Sequence, residues 1–102
     1  MAIKPDDCIV PYGKLVRWVQ NGNSYRDYKL VYDVAYLENF NTHCMELFRV
    51  VKQPEIGTRD KIRDEELAKF NAVYKTHKKG ADRDYIKFKS HADLTYFVMR
   101  WA

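Results

Sequence analysis

Residues 28–52 read YKLVYDVAYLENFNTHCMELFRVVK, and how this stretch folds decides the architecture. Its first ten residues alternate. Tyr28, Leu30, Tyr32, Val34 and Tyr36 fall on one face of an extended chain and Lys29, Val31, Asp33, Ala35 and Leu37 on the other, so the spacing predicts a strand over 28–37. Residues 38–43, Glu-Asn-Phe-Asn-Thr-His, carry turn chemistry. Residues 44–52 follow with Phe48, Val50 and Val51 as strand formers, which makes an antiparallel hairpin the preferred reading. A helix over 36–52 stays open beside it, because Leu37, Phe40, Cys44, Leu47 and Val51 also lie at helical spacing.

Working outward toward the C-terminus, Pro54-Glu55-Ile56-Gly57 interrupts the pattern, and a long helix is expected from Thr58 to about residue 78. Its apolar stripe is Ile62, Leu67, Phe70, Val73 and Tyr74. Asp60, Asp64, Glu65 and Glu66 lie early and Lys75, His77, Lys78 and Lys79 late, as the helix dipole prefers, and Gly80 suits the C-terminal cap. Residues 84–89 alternate again, Ile86 and Phe88 against Tyr85, Lys87 and Lys89. Ser90 with Asp93 three residues on is a variant of the capping box, opening a last helix with Leu94, Phe97, Val98 and Trp101 on its apolar face. Phe70 and Trp101 are expected core anchors.

Toward the N-terminus, residues 14–20 fit either a helix or a strand. Helix is preferred because Pro11 suits a first turn and Gly22 the position past an end. Residues 1–7 are polar and expected to be loose. The whole reads as one α+β domain with a small antiparallel sheet, a helix over about 58–78 and a C-terminal helix. Its 102 residues can bury roughly two-thirds of the unfolded surface, enough for a core without metal or disulfide. Eight Tyr, five Phe and two Trp make that core aromatic and leave some hydroxyl-bearing rings for the surface.

The net charge of +4 is concentrated in residues 75–89. Lys75, Lys78, Lys79, Arg83, Lys87 and Lys89 stand there against Asp82 and Asp84, while residues 1–74 balance eleven positive against eleven negative charges. If residues 84–89 form a strand, Arg83, Tyr85, Lys87 and Lys89 project from one face, with Lys75, Lys78 and Lys79 arriving from the neighbouring helix end. Cations interleaved with a stacking ring are the arrangement that holds single-stranded nucleic acid. The plainer alternative is a solvated helix end followed by an edge strand whose lysines discourage aggregation.

Other chemistries find little footing. Cys8 and Cys44 form no close pair and read as free thiols of a cytoplasmic protein, and no apolar run approaches the length of a membrane helix. His43 and Cys44 are neighbours, and adjacency points them in different directions in a strand or a helix alike. The three His and two Cys lack the paired spacing of zinc sites, so no metal or cofactor is expected. Phosphate-binding Gly loops, zinc-protease and serine-elbow motifs are absent. Pro5-Asp6 with Asp27-Tyr28-Lys29 matches the PD-(D/E)xK nuclease pattern, which makes a small metal-dependent nuclease the third functional reading.

The C-terminal stretch 85–101, YIKFKSHADLTYFVMRW, resembles the strand-then-helix ending of small accessory proteins of large tailed bacteriophages, through Phe88, Asp93, Leu94, Phe97 and Trp101. The resemblance implies a non-catalytic protein acting in a bacterial host's cytoplasm by binding host or viral machinery. It carries over no site residues. Two functional expectations therefore lead: a protein that binds a host or viral macromolecule, and a nucleic-acid-binding module built on residues 75–89.

Overall fold

The computed structural model describes residues 8–20, 22 and 27–102. It is an α+β fold. The elements are β1 (Ile9–Val10), a single helical turn α1 (Tyr12–Leu15), β2 (Val16–Gln20), β3 (Tyr28–Tyr32), α2 (Ala35–Arg49), α3 (Thr58–Ala68), β4 (Ala72–Lys75), a 3-10 turn (Ala81–Arg83), β5 (Tyr85–Phe88) and α4 (His91–Trp101). β1, β5 and β4 form an antiparallel sheet in that order, and β2 pairs with β3 as a separate antiparallel ribbon. The stretch 1–7 lies outside the described residues.

The preferred hairpin over 36–52 is corrected to the helix α2, and the strand over 28–37 stops at Tyr32. Leu37 and Phe40 are buried from one helical face. The two asparagines that suggested a turn spend their side chains on distant partners instead of local backbone. Asn39 Nδ2 donates to the Trp101 carbonyl at 2.7 Å, and Asn41 Nδ2 donates to the Tyr12 hydroxyl at 2.8 Å and the Tyr32 hydroxyl at 3.2 Å. A helix is the conformation that lets 37 and 40 face the core while 39 and 41 reach those partners.

Residues 14–20 are likewise corrected, from helix to the strand β2 that follows the short turn α1. Its register with β3 places Val16 opposite Tyr32, Trp18 opposite Leu30 and Gln20 opposite Tyr28. β-branched and aromatic residues win here because a partner strand exists to pack them.

The helix expected over 58–78 begins at Thr58 but ends at Ala68. Asn71 adopts φ 56°, the left-handed conformation that Asn tolerates after a helix end, and its N–H bonds the Ala68 carbonyl at 3.1 Å. The chain then reverses into β4, and Gly80, expected to cap the helix, instead precedes the 3-10 turn. Lys89 N–H donates to the Asn71 carbonyl at 2.9 Å, fastening this reversal to the end of β5.

The helices cover one face of the three-stranded sheet. Val10, Ala72, Ile86 and Phe88 point inward from it and meet Leu37 and Phe40 of α2, Leu67 and Phe70 around the end of α3, and Phe97 and Trp101 of α4. Phe97 is the hub: fully buried, it lies 5.1 Å from the Phe40 ring centre, 5.2 Å from Phe70 and 5.2 Å from Phe88. Phe70 and Trp101 are buried as expected, although Phe70 enters from the turn after α3 and not from its stripe. α4 opens as its sequence prescribes, the Ser90 hydroxyl accepting Asp93 N–H at 3.1 Å and donating to the Asp93 carboxylate at 2.8 Å. The bond from the Ser90 hydroxyl, followed by one from Asn71 Nδ2 at 3.1 Å, holds the Asp93 carboxyl below its ordinary range.

Candidate nucleic-acid interface

Six cations and a tyrosine proposed from sequence all sit on or beside the β4–β5 hairpin. The register puts Lys75 opposite Tyr85 and Val73 opposite Lys87, with Ile9 of β1 on the other side of Lys87. Strand alternation sends Ile86 and Phe88 into the core and turns Tyr85 and Lys87 outward, so Lys75, Tyr85 and Lys87 share the open face of the sheet. Directly opposed residues in such a pair have Cβ atoms ~4.5–5.5 Å apart, close enough for one ligand to span them.

Lys78 and Lys79 occupy the turn after β4, and Arg83 ends the 3-10 turn, all exposed at the loop end of the hairpin. Lys89 lies past the other end of β5. With Lys87 it borders an open depression lined by Ala68, Asn71, Ala72, Val73 and Phe88. The structure therefore brings Lys75, Tyr85 and Lys87 onto one surface and sets Lys78, Lys79 and Arg83 at one end and Lys89 at the other. Among the described residues, none of the six cations is ion-paired.

The end of α3 at Ala68 and the strand β4 that follows change what this cluster means. Lys75, Lys78 and Lys79 do not end a helix, so a helix dipole does not account for them. Lys87 stands on the central strand of its sheet, where a lysine has no edge to protect. Both structural explanations drawn from the sequence lose their main support.

The acids within the segment are handled unequally. Asp82 is exposed, whereas Asp84 is buried and turned inward, accepting Tyr74 O–H at 2.7 Å and His77 N–H at 3.0 Å. Burial, reinforced by the bond to Asp84, holds the Tyr74 hydroxyl well above the ordinary tyrosine range. The Asp84 charge thus folds the loop and is withdrawn from the outer face. Gly13 completes the support: its N–H donates to the Asp84 carbonyl at 2.8 Å, and a Cβ there would fall 2.1 Å from the Ala81 carbonyl oxygen. Only glycine allows α1 and the 3-10 turn to approach so closely.

Of the remaining chemistry-bearing residues, His43, Cys44 and Glu66 lie together between α2 and α3. His43 Nε2 meets Glu66 Oε1 at 2.6 Å, and Lys69 Nζ meets Glu66 Oε2 at 2.6 Å. Burial raises the Glu66 carboxyl, yet the bonds from Lys69 and His43 outweigh it and leave the group below its ordinary value. The Cys44 thiol is pushed up to about 11 by burial and by the Glu66 charge, which keeps it protonated at neutral pH. No three His, Cys, Asp or Glu side chains gather to hold a metal among the described residues. Of the nuclease-like pattern, Asp27 and Lys29 are exposed, and Pro5 and Asp6 lie outside the described residues. No helix among the described residues is long and apolar enough to cross a membrane.

Sequence reasoning missed Val73 and Ile9, which extend the open face beside Lys87. The signal for Val73 was the β-forming run Val73-Tyr74 after a left-handed-tolerant Asn71. Comparison of the chain with protein-family models, curated proteins and solved structures finds no match.

Proposed function

We propose that this protein is a small non-catalytic interaction protein, of the accessory kind its C-terminal unit resembles, and that the β4–β5 face holds single-stranded nucleic acid. The observation carrying this reading is Lys87 on a central strand, beside Tyr85 and Lys75 on an open sheet face from which the neighbouring Asp84 carboxylate is turned away. Phosphates would lie along Lys75, Lys87 and the loop cations while a base stacks on Tyr85. Duplex would fit less well, because a ring in the middle of the face needs an unpaired base to engage. Two free thiols are what a reducing compartment maintains, which supports action in the cytoplasm, the host's if the protein is viral.

Fluorescence anisotropy with a labelled oligothymidylate across a salt series tests the reading. Log affinity should fall with log salt by ~0.7 for each phosphate contact, and changing Lys78, Lys79, Lys87 and Lys89 to Gln should flatten that slope without unfolding the chain. Tyr85→Ala should weaken binding by ~1–3 kcal/mol. A parent protein that shows no salt-dependent binding to DNA or RNA at micromolar concentration ends the nucleic-acid reading and leaves the cluster as a dock for an acidic protein surface.

A further inference from the structure

A second surface lies between the β2–β3 ribbon and helices α2 and α3. Val16 and Tyr32 pack against the core from one face of the ribbon, and Trp18 and Leu30 continue that same face. Trp18 is nevertheless 68 % exposed, a ring on the core-facing side of the ribbon that no described residue buries. Trp18, Leu30 and Tyr32 together with Met45 and Phe48 wall a groove of about 380 Å³, within the range of ~300–1,000 Å³ typical of ligand sites.

Its polar lining is Tyr12, Tyr32, Asn41, Arg59, Arg63 and Asp60, with donors and cations outnumbering the one carboxylate. Asn41 uses its amide hydrogens on the Tyr12 and Tyr32 hydroxyls, so each hydroxyl is already an acceptor and has its own O–H left to give. Arg63 is neutralised by Asp60 and Asp64, whereas Arg59, 4.7 Å over the Phe48 ring, has no ion-pair partner among the described residues. Among the described residues, an apolar wall, two hydroxyl donors without an acceptor and an unpaired Arg59 complement a group that is apolar, carbonyl-bearing and adjacent to a carboxylate. The groove also continues: Phe48, Arg59 and Asp60 line the adjoining depression along Pro54, Ile56 and Thr58. An extended chain fits such a trough better than a compact small molecule, and one free cation is too little for a run of phosphates.

We infer that this groove docks an extended segment of a partner protein that presents one large apolar side chain followed by an acidic residue. The apolar side chain lies between Trp18 and Met45, a backbone carbonyl accepts from Tyr12 or Tyr32, and the carboxylate pairs with Arg59. Association through an exposed Trp with Met and Arg beside it is the composition of an interface hot spot. This surface is independent of the cationic hairpin, so each can fail without the other.

Blocked tetrapeptides test the inference on the intact protein by NMR: acetyl-Gly-Phe-Glu-Gly-amide, its Gln analogue in place of Glu, and its Ala analogue in place of Phe. The Phe-Glu peptide should shift the Trp18 indole N–H saturably at millimolar concentration and leave the buried Trp101 indole in place, a control on the fold. The Gln analogue should bind about two- to fivefold more weakly, the increment of an exposed ion pair. The Ala analogue should bind about tenfold more weakly or worse. Arg59→Gln should bring the Phe-Glu peptide to the level of the Gln analogue and leave the latter unchanged. Equal affinity for all three peptides, or no saturable shift at Trp18, overturns the assignment. So does a Trp18 resonance that moves with protein concentration alone, which would give the groove to a second copy of the chain.

Discussion

The two antiparallel ribbons of this protein differ in what stands behind them. β4–β5 belongs to a three-stranded sheet whose inner face, Ala72, Ile86 and Phe88, is sealed by rings from the helices, so its outer face can carry Lys75, Tyr85 and Lys87 without weakening the core. Among the described residues β2–β3 has no third strand, and burial fades along its inner face from the half-buried Val16–Tyr32 pair to the exposed Trp18 and Tyr28. One ribbon displays charge on top of a finished core. The other displays apolar surface that the described residues leave exposed, and the two surfaces differ in the chemistry they offer.

The comparison breaks most severely if the core behind β4–β5 is opened. Phe97→Ala removes the ring on which Phe40, Phe70 and Phe88 converge and should cost ~3–5 kcal/mol, read as a large drop in melting temperature. An unchanged melting curve would mean that the sheet does not depend on that hub.

A smaller effect tests how the charged loop is positioned. Gly13→Ala should cost about 3 kcal/mol, the upper end for overpacking, since its Cβ would meet backbone at Ala81 and Asp82 and not a yielding side-chain tip. On the proposed function, nucleic-acid affinity should fall with it, because the 3-10 turn carrying Arg83 must move. A variant with native stability and a native amide spectrum would show that α1 does not hold this turn.

The smallest expected change concerns the bond between α2 and α3. The folded Glu66 carboxyl titrates below its ordinary value, so its contribution is complete above about pH 5 and drains away as the pH falls through the ordinary glutamate range and below. Glu66→Gln should lose about 1.5 kcal/mol at neutral pH, the scale of a hydrogen bond to a charged partner, and should flatten the acid limb of stability. Equal acid limbs in parent and variant, measured by urea unfolding from pH 7 to pH 3, would remove Glu66 from the account.

What could be read from the chain was local. The excess of cations in 75–89, the outward set Tyr85 and Lys87 and the Ser90–Asp93 cap depend only on composition and on spacings of two or three residues, and the structure keeps each of them. The sequence by itself determined that this protein is α+β and that its charge is gathered on one strand-bearing segment. Tertiary structure decided the rest. Residues 35–49 satisfy strand and helix patterns alike, and the choice turns on partners 29 and 62 residues away, Tyr12 for Asn41 and Trp101 for Asn39. Residues 72–75 carry apolar side chains compatible with one more helical turn, but pairing with β5 and the reversal at Asn71 make them a strand. Periodicity is a property of the segment, whereas a hydrogen bond or a buried ring needs its partner in place, and that partner is supplied only when the whole chain has folded.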